Sequence, residues 1–239
     1  MDTRLNALGQ PIGPALPGWQ PAQRPPRRAM EGRLCRVEPI DPARHAADLF
    51  AAFAEDRDGR TFTYLGAGPF ADRAAFDAWL SRTCLGEDPF FHAIVDRVSG
   101  RALGVAAYMR IEPATGVIEV GHINFSPAMQ RSALATEAMY LMMRRVFEEL
   151  GYRRYEWKCD SLNAPSRRAA ERFGFSYEGL FRQATIYRGR SRDTAWFSML
   201  DREWPAIRSA YEVWLGEGNF DGAGRQRVAL GDLIRRLRA

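Results

Sequence analysis

The chain has few of the residues that build metal sites, disulfide frameworks and membrane spans. Cysteine and histidine occur three times each in 239 residues, with no Cys-x-x-Cys pair and no metal-ligand spacing. The three cysteines Cys35, Cys84 and Cys159 are widely separated, so we expect buried thiols and neither a disulfide framework nor a bound metal. No apolar run approaches the roughly 20 residues that cross a bilayer, so no membrane contact is expected.

The first 31 residues lack both an apolar signal core and a helical pattern. Prolines recur through this segment and favour extended backbone over helix. We therefore expect no secretory signal, a cytoplasmic location, and an N-terminal arm over residues 1–31. Trp19, Leu16 and Ile12 are the side chains expected to hold the arm on the domain.

Lysine is almost absent, because Lys158 stands alone among the basic residues and arginine supplies the rest. The formal net charge of +5 suits an anionic cofactor, and it also suits non-specific binding of nucleic acid. Charge alone does not separate these classes. A nucleic-acid binder would show affinity that falls steeply with salt, and we expect no such partner.

The hydrophobic pattern predicts an α/β domain over residues 32–204, followed by a helical extension with a basic tail over 205–239. The short turns at 99–100 and 113–116 predict an antiparallel meander. The predicted strands are 33–40, 90–98, 101–111, 117–125, 152–159, 175–184 and 193–200, and the predicted helices are 41–54, 72–83, 134–150 and 163–172.

Small residues fill the junction between the strand 117–125 and the helix 134–150. Backbone N–H groups in a first helical turn have no helical acceptor, and the helix dipole makes that end positive. Such a junction can hold a pyrophosphate without a lysine, because small side chains allow close approach. The residues there are Gln130, Arg131, Ser132, Ala133, Leu134, Ala135 and Thr136.

This junction resembles motif A of the GCN5-related N-acetyltransferases (GNAT), whose coenzyme A loop reads Gln/Arg-x-x-Gly-x-Gly/Ala. The Ala-Thr-Glu-Ala that follows resembles the ribosomal-protein N-terminal acetyltransferase (RimJ/RimL-like) branch. A second block, 163–179, resembles the family's Asn-x-x-Ser...Gly-Phe-x-x-Glu-Gly at the same distance downstream. The first block departs from the family at Ala133, which replaces a glycine and removes freedom at positive φ.

The resemblance implies a mixed, mostly antiparallel twisted sheet, flanked by helices and splayed between its fourth and fifth strands so that pantetheine fits there. It also implies acetyl-CoA as cosubstrate and a primary amine as acceptor, either a protein N-terminus or a small metabolite. The sequence leaves open whether the chain acts alone or as a homodimer. Cofactor contacts are expected from the seven junction residues, from a backbone N–H at Asn124 or Phe125, and from Asn163.

The resemblance also suggests catalytic groups. Glu119 has the position of the family's glutamate base, and His122 is the rival base; regular strand alternation would place the two on opposite faces. Ser166 corresponds to the serine proposed to serve the leaving thiolate. The tyrosine that many members use as acid is Ala170 here, and the second glutamate of the RimJ/RimL-like branch is Thr185.

The acceptor pocket is expected from two segments rich in aromatic and basic residues. One is the loop between the first two helices, with Phe62, Tyr64 and Phe70, and the other is the turn 187–190 between the last strands. Because Ala133, Ala170 and Thr185 depart from the family pattern, a non-catalytic acyl-CoA-binding sensor or scaffold is the alternative function.

Overall fold

The structure is a computed structural model that describes residues 4–238. The first three residues of the expected N-terminal arm and the last residue of the expected basic tail lie outside the described residues.

Eight strands form one sheet, and a further strand pair lies in the N-terminal arm. The arm pair is β1 (Arg4–Leu5) with β2 (Pro11–Ile12). The sheet contains β3 (Met30–Glu31), β4 (Cys35–Pro39), β5 (Phe90–Asp96), β6 (Ala102–Glu112), β7 (Val117–Phe125), β8 (Arg154–Asp160), β9 (Ser176–Tyr187) and β10 (Arg190–Leu200). Their order is β3-β4-β5-β6-β7-β8-β10-β9, and β7 with β8 is the parallel pair among these antiparallel neighbours. The predicted fold class is confirmed.

The helices begin where side chains can cap them. They are α1 (Pro42–Ala54), α2 (Arg73–Thr83), α3 (Ala133–Arg144), α4 (Ala164–Arg172), α5 (Trp204–Leu215) and α6 (Leu230–Arg238). Asp41, Asp72, Ser132 and Asn163 each accept a backbone N–H from the first turn of α1, α2, α3 and α4. A π-helical turn, Arg145–Glu149, continues α3.

The sheet separates two apolar cores. One lies under α3 and includes Tyr155 and Trp157 of β8 together with Leu230 and Ile234 of α6, so the C-terminal extension packs into the main core. The other lies under α1 and α2 and includes Phe91 of β5. The two faces of the sheet can therefore be told apart by the core that each one covers.

The sheet opens between β7 and β8. These strands are paired only from Val117↔Arg154 to Val120↔Trp157, after which they diverge. Next to this opening, Ala106 of β6 faces two residues of β7, His122 and Ile123, since Val105 pairs with Asn124 and Ala107 with Gly121. This is a β-bulge, and His122 within it has a φ of 50°.

The N-terminal arm is docked on the domain. Trp19 donates from Nε1 to the Ala114 carbonyl at 3.0 Å, as the expected docking requires. The guanidinium of Arg145, which is 1% exposed, donates to the carbonyls of Arg28 and Ala29. Ile12 and Leu16 are exposed, so they do not hold the arm as expected.

Glu137 of α3 holds the start of β4. Its buried carboxylate accepts the backbone N–H groups of Arg33, Leu34 and Cys35 at 2.9, 2.6 and 2.8 Å. A Cβ on Gly32 would lie 2.4 Å from Glu137 Oε2, so the approach also requires a glycine there. One side chain thus satisfies three N–H groups that a bend in the chain leaves without a strand partner.

We predict that Glu137→Ala lowers the free energy of unfolding by about 3 kcal/mol or more, because it leaves three N–H groups without their charged acceptor. Glu137→Gln should cost less, since one oxygen can still accept. Urea titration measures both variants. Glu87→Ala, at an exposed position, is the control and should be neutral. A Glu137→Ala variant as stable as that control would contradict this role.

Candidate active site

A cleft of about 2010 Å³ runs through the opening between β7 and β8. One end reaches the N-terminus of α3 and the segment 224–226, and the other reaches the loop between α1 and α2. All of the expected cofactor and catalytic positions except Leu134 line this cleft. The expected residues that line it are Glu119, Asn124, Phe125, Gln130, Arg131, Ser132, Ala133, Ala135, Thr136, Asn163 and Ser166.

The α3 end of the cleft has the features of an anion site. Ser132 caps the helix through Oγ, which accepts the Ala135 N–H at 3.1 Å. Ala133 and Leu134 come earlier in the first turn, where no helical acceptor precedes their N–H groups. The left-handed residue of the loop is Arg131, with a φ of 58°, and not Ala133. The departure at Ala133 therefore costs no backbone strain, contrary to the expectation from the sequence.

Arginine side chains surround this end. Arg131, Arg168, Arg172 and Arg225 line the cleft there. Arg172 donates to Thr136 Oγ1 at 3.1 Å, and burial lowers its pKa. Arg225 comes from the C-terminal extension, a contribution for which the sequence motifs gave no signal. The positive potential of these side chains suits a phosphate-rich ligand.

The backbone of β7 distinguishes Asn124 from Phe125, the two residues whose N–H group is an expected cofactor contact. Ser126 N–H donates to the Leu103 carbonyl at 3.0 Å, and Val105 faces Asn124 two residues along the same ladder. Antiparallel ladders alternate, so the Asn124 N–H points to β6 and the Phe125 N–H points into the opening. Gln130 Nε2 donates to the Phe125 carbonyl at 2.9 Å. Of the two candidates, Phe125 has the N–H that faces the cleft.

Glu119 belongs to a buried charge cluster. Its side chain is 4% exposed, and its Oε2 lies 2.5 Å from Arg110 Nη1 and 2.8 Å from Lys158 Nζ. Lys158 Nζ also lies 2.8 Å from Glu156 Oε2 and 3.7 Å from the centre of the Trp196 ring. The carboxylate is therefore held by two cations through Oε2.

Sequence analysis identified only Glu119 of this cluster as functional and missed Lys158. It is the one lysine in a chain that otherwise uses arginine, and it lies in a strand next to the expected site. Its isolation among arginines could have marked Lys158 as a candidate site residue from the sequence alone. A lysine ammonium is a compact point charge, which fits between two carboxylates where a planar guanidinium would need more space.

The structure corrects the predicted position of His122. Phe91, Ala107 and Gly121 are successive cross-strand partners, so they share a face with Glu119. The ring centroids of His122 and Phe91 are 4.9 Å apart, which places His122 on this same face. The bulge adds one residue and reverses the alternation. Desolvation, and then the charge of Arg110, lower the pKa of His122, so the ring is neutral near pH 7.

Ser166 lies on the opposite face of the sheet. Its N–H donates to Asn163 Oδ1 at 3.1 Å, which is the helix cap, and its Oγ accepts the Trp157 Nε1–H at 3.0 Å. Trp157 belongs to the core under α3. The hydroxyl therefore has a donor at its oxygen, and the sulfur of Cys159 is a hydrogen-bond neighbour for its own proton.

The residues expected in the acceptor pocket are divided between the cleft and the core. Tyr64 and Tyr187 line the cleft, but Phe62 and Phe70 pack edge-on against each other and belong to the core under α1 and α2. They fill the space between these helices. The aromatic content of the loop could not distinguish this core position from a position in the cleft. Tyr64 Oη donates to the Leu162 carbonyl at 3.1 Å, so the loop after α1 touches the segment after β8.

Within residues 4–238, no three His, Cys, Asp or Glu side chains are grouped so that they could hold a metal ion. Over the same residues, no helix has the length and apolar character needed to cross a membrane.

Comparisons with known proteins agree with this geometry. The family model described as "Acetyltransferase (GNAT) domain" matches residues 35–176, more than half of the chain. A crystal structure of a GCN5-related N-acetyltransferase from Brucella melitensis is 49% identical, with a TM-score of 0.90, and the match covers 92% of this chain and 100% of that one.

Two more distant matches give less information about this chain. An uncharacterized N-acetyltransferase, p20, from Bacillus licheniformis is 27% identical over 47% of this chain, and the match spans 62% of that relative's length. A microcin C7 self-immunity acetyltransferase, solved with acetyl-CoA and AMP, is 18% identical, with a TM-score of 0.61 over 71% of this chain and 93% of its own. At that identity the likeness shows the fold alone.

We predict that Ala133→Glu abolishes coenzyme A binding, because it adds a carboxylate and extra volume at the N-terminus of α3. Titration calorimetry measures the affinity. Ala74→Glu is the matched control, since it makes the same change in the first turn of α2, away from the cleft. A folded Ala133→Glu variant with undiminished affinity would remove the phosphate site from α3.

Proposed function

The chain belongs to the GNAT acetyltransferases and is an acyltransferase enzyme, and on that premise we propose that it transfers the acetyl group of acetyl-CoA to a primary amine by direct attack. The acceptor is either a protein N-terminus or a small metabolite, and the RimJ/RimL-like branch is the proposed subfamily. Residues 32–204 carry the reaction, with 1–31 and 205–239 as the flanking arm and extension.

One observation carries this proposal. The opening between β7 and β8 has Ser166 on the face under α3, Glu119 on the face under α1 and α2, and the Phe125 N–H between them. Direct attack needs an amine at the face of the thioester carbonyl carbon, a donor at the carbonyl oxygen as it gains charge, and a proton for the thiolate when the C–S bond breaks. The three groups therefore have the arrangement that the reaction requires.

The proposed cofactor contacts extend from this opening to α3. The N–H groups of Ala133 and Leu134 donate to the pyrophosphate oxygens, and the small side chains of Ser132 and Ala135 let the pyrophosphate approach. Acetyl-CoA supplies the thioester. The proposed contact residues are Asn124, Phe125, Gln130, Arg131, Ser132, Ala133, Leu134, Ala135, Thr136 and Asn163.

The proposed base is Glu119, through Oε1 and an ordered water. Arg110 and Lys158 hold Oε2, so the carboxylate has a fixed orientation and one oxygen left for the proton of the acceptor ammonium. His122 is the rival, because it lies on the same face and its pKa is lowered. The backbone N–H of Phe125 then stabilises the charge on the thioester oxygen.

The sensor or scaffold alternative rests on the residues that differ from the family pattern. Ala170 is fully buried in the main core, so this position does not reach the cleft. Thr185 lines the cleft but cannot act as a base at neutral pH. Membership of an acetyltransferase family favours the enzyme, and turnover against a panel of amines is the experiment that separates the two.

We predict that Glu119→Gln binds acetyl-CoA normally but lowers kcat by about 10² to 10⁴, the usual effect of losing a general base. The loss should be largest below the acceptor's pKa and should shrink at high pH, where the free amine needs no base. Rates across pH test this, and thermal unfolding checks that the buried cluster survives. Full activity in Glu119→Gln with loss in His122→Gln would transfer the role to His122.

We predict that Ser166→Ala lowers kcat at every pH, because protonation of the thiolate does not depend on the acceptor's ionisation. The helix cap uses the Ser166 backbone and the Asn163 side chain, so stability should change little. Single-turnover rates measure the effect. If turnover stays normal while stability falls by about 0.5 to 1.5 kcal/mol, the effect of losing the hydrogen bond from Trp157, Ser166 has only a structural role.

A further inference from the structure

One wall of the cleft has hydrogen-bond donors that the protein does not use. Arg192 Nε and Trp196 Nε1 are buried nitrogen atoms without a hydrogen-bond partner among the described residues. Both residues line the cleft. A buried N–H without an acceptor costs free energy, so two of them in a binding cleft point to a ligand that supplies acceptors.

The two donors lie on the acceptor face of the sheet. Trp196 faces Lys158 across the β8–β10 ladder, and Glu156 faces Glu119 across the β7–β8 pairing. Residues at even spacing along a strand share a face, so Arg192 and Trp196 share that face with Glu119. Along β10 they are four residues, or roughly 13 Å, apart. The wall thus runs from the proposed base outward to Arg192.

Arg192 differs from the other cations at this end in being both partly buried and unpaired among the described residues. Arg60, Arg110 and Lys158 line the cleft and are each paired with a carboxylate, while Arg57, which lines it too, is exposed. Arg192 is partly buried, and it forms no ion pair and no side-chain hydrogen bond with a described residue. The nearby carboxylate of Asp160 instead accepts from Tyr187 Oη at 2.9 Å. A partly desolvated guanidinium without a counter-ion favours an anion.

We propose that Arg192 forms a subsite for an oxyanion group of the acceptor, either a carboxylate or a phosphate, and that the Trp196 Nε1–H, nearer to Glu119 on the same wall, donates to another acceptor atom of the same molecule. This rests on the proposed function. The acceptor amine lies near Glu119, and its anionic group lies several bonds away, toward Arg192. Glu55, Asp56 and Asp58 at the rim of the cleft attract the ammonium end. The acceptor is therefore an amine that also carries an acid.

Matched pairs of probes test the subsite by binding to the full-length protein with coenzyme A. One pair is 4-aminobutanoate and butylamine, and the other is the amides of Ser-Glu-Ala and Ser-Gln-Ala, so small-molecule and peptide sources are separated. In at least one pair the acid should bind about tenfold or more tightly, which corresponds to one charge-assisted hydrogen bond. Arg192→Gln should abolish that preference, and Arg192→Lys should keep part of it.

Arg182→Gln is the control, since Arg182 is exposed on β9 outside the cleft, and it should keep the preference. Equal binding within both pairs, or a preference that survives Arg192→Gln, would overturn the subsite. Turnover of the same probes separates this from the proposed function: acid preference without acetyl transfer is a failure of the proposed function, and transfer without acid preference is a failure of the subsite.

Discussion

The parting of β7 and β8 after four paired residues is the constraint on which the site depends. A sheet interior cannot leave backbone N–H and C=O groups without partners, so the strand ends beyond Val120 and Trp157 need something else to bind. The bulge at His122 lies beside this opening and turns the chain toward α3. Because β7 runs directly into the loop before α3, the same opening leads to a helix N-terminus that favours anions.

The two faces of the opening carry different chemistry. On the face under α3, Ser166 is held by Trp157, and arginines surround the start of the helix. On the other face, Glu119, Glu156 and Lys158 form a buried cluster whose charges are expensive to desolvate and whose geometry must be good to offset that cost. Such a cluster fixes the orientation of Glu119, as its proposed role as the general base requires.

The sequence predicted the parts of the structure that local rules determine. The helices that begin at Asp41 and Asn163, the antiparallel meander of residues 90–125 and the strand-to-helix junction at Ser132 follow from residue type and spacing, and the structure confirms them. Single-residue events and tertiary pairing were not predictable in this way. The bulge places His122 on the face of the sheet opposite to the predicted one. Phe62 packs in the core under α1 and α2, a position that composition alone does not reveal. Lys158 was visible as an isolated lysine, but its two carboxylate partners come from positions that only the fold brings together.

The central claim is that the opening and the start of α3 together hold the cofactor. Amide hydrogen exchange read by nuclear magnetic resonance, with and without acetyl-CoA, measures this residue by residue. The account predicts that the Phe125, Ala133 and Leu134 amides exchange readily in the free protein and become protected with acetyl-CoA, while the Asn124 amide is protected throughout by its ladder partner. Unchanged exchange at Phe125, Ala133 and Leu134 in a protein saturated with acetyl-CoA would contradict it.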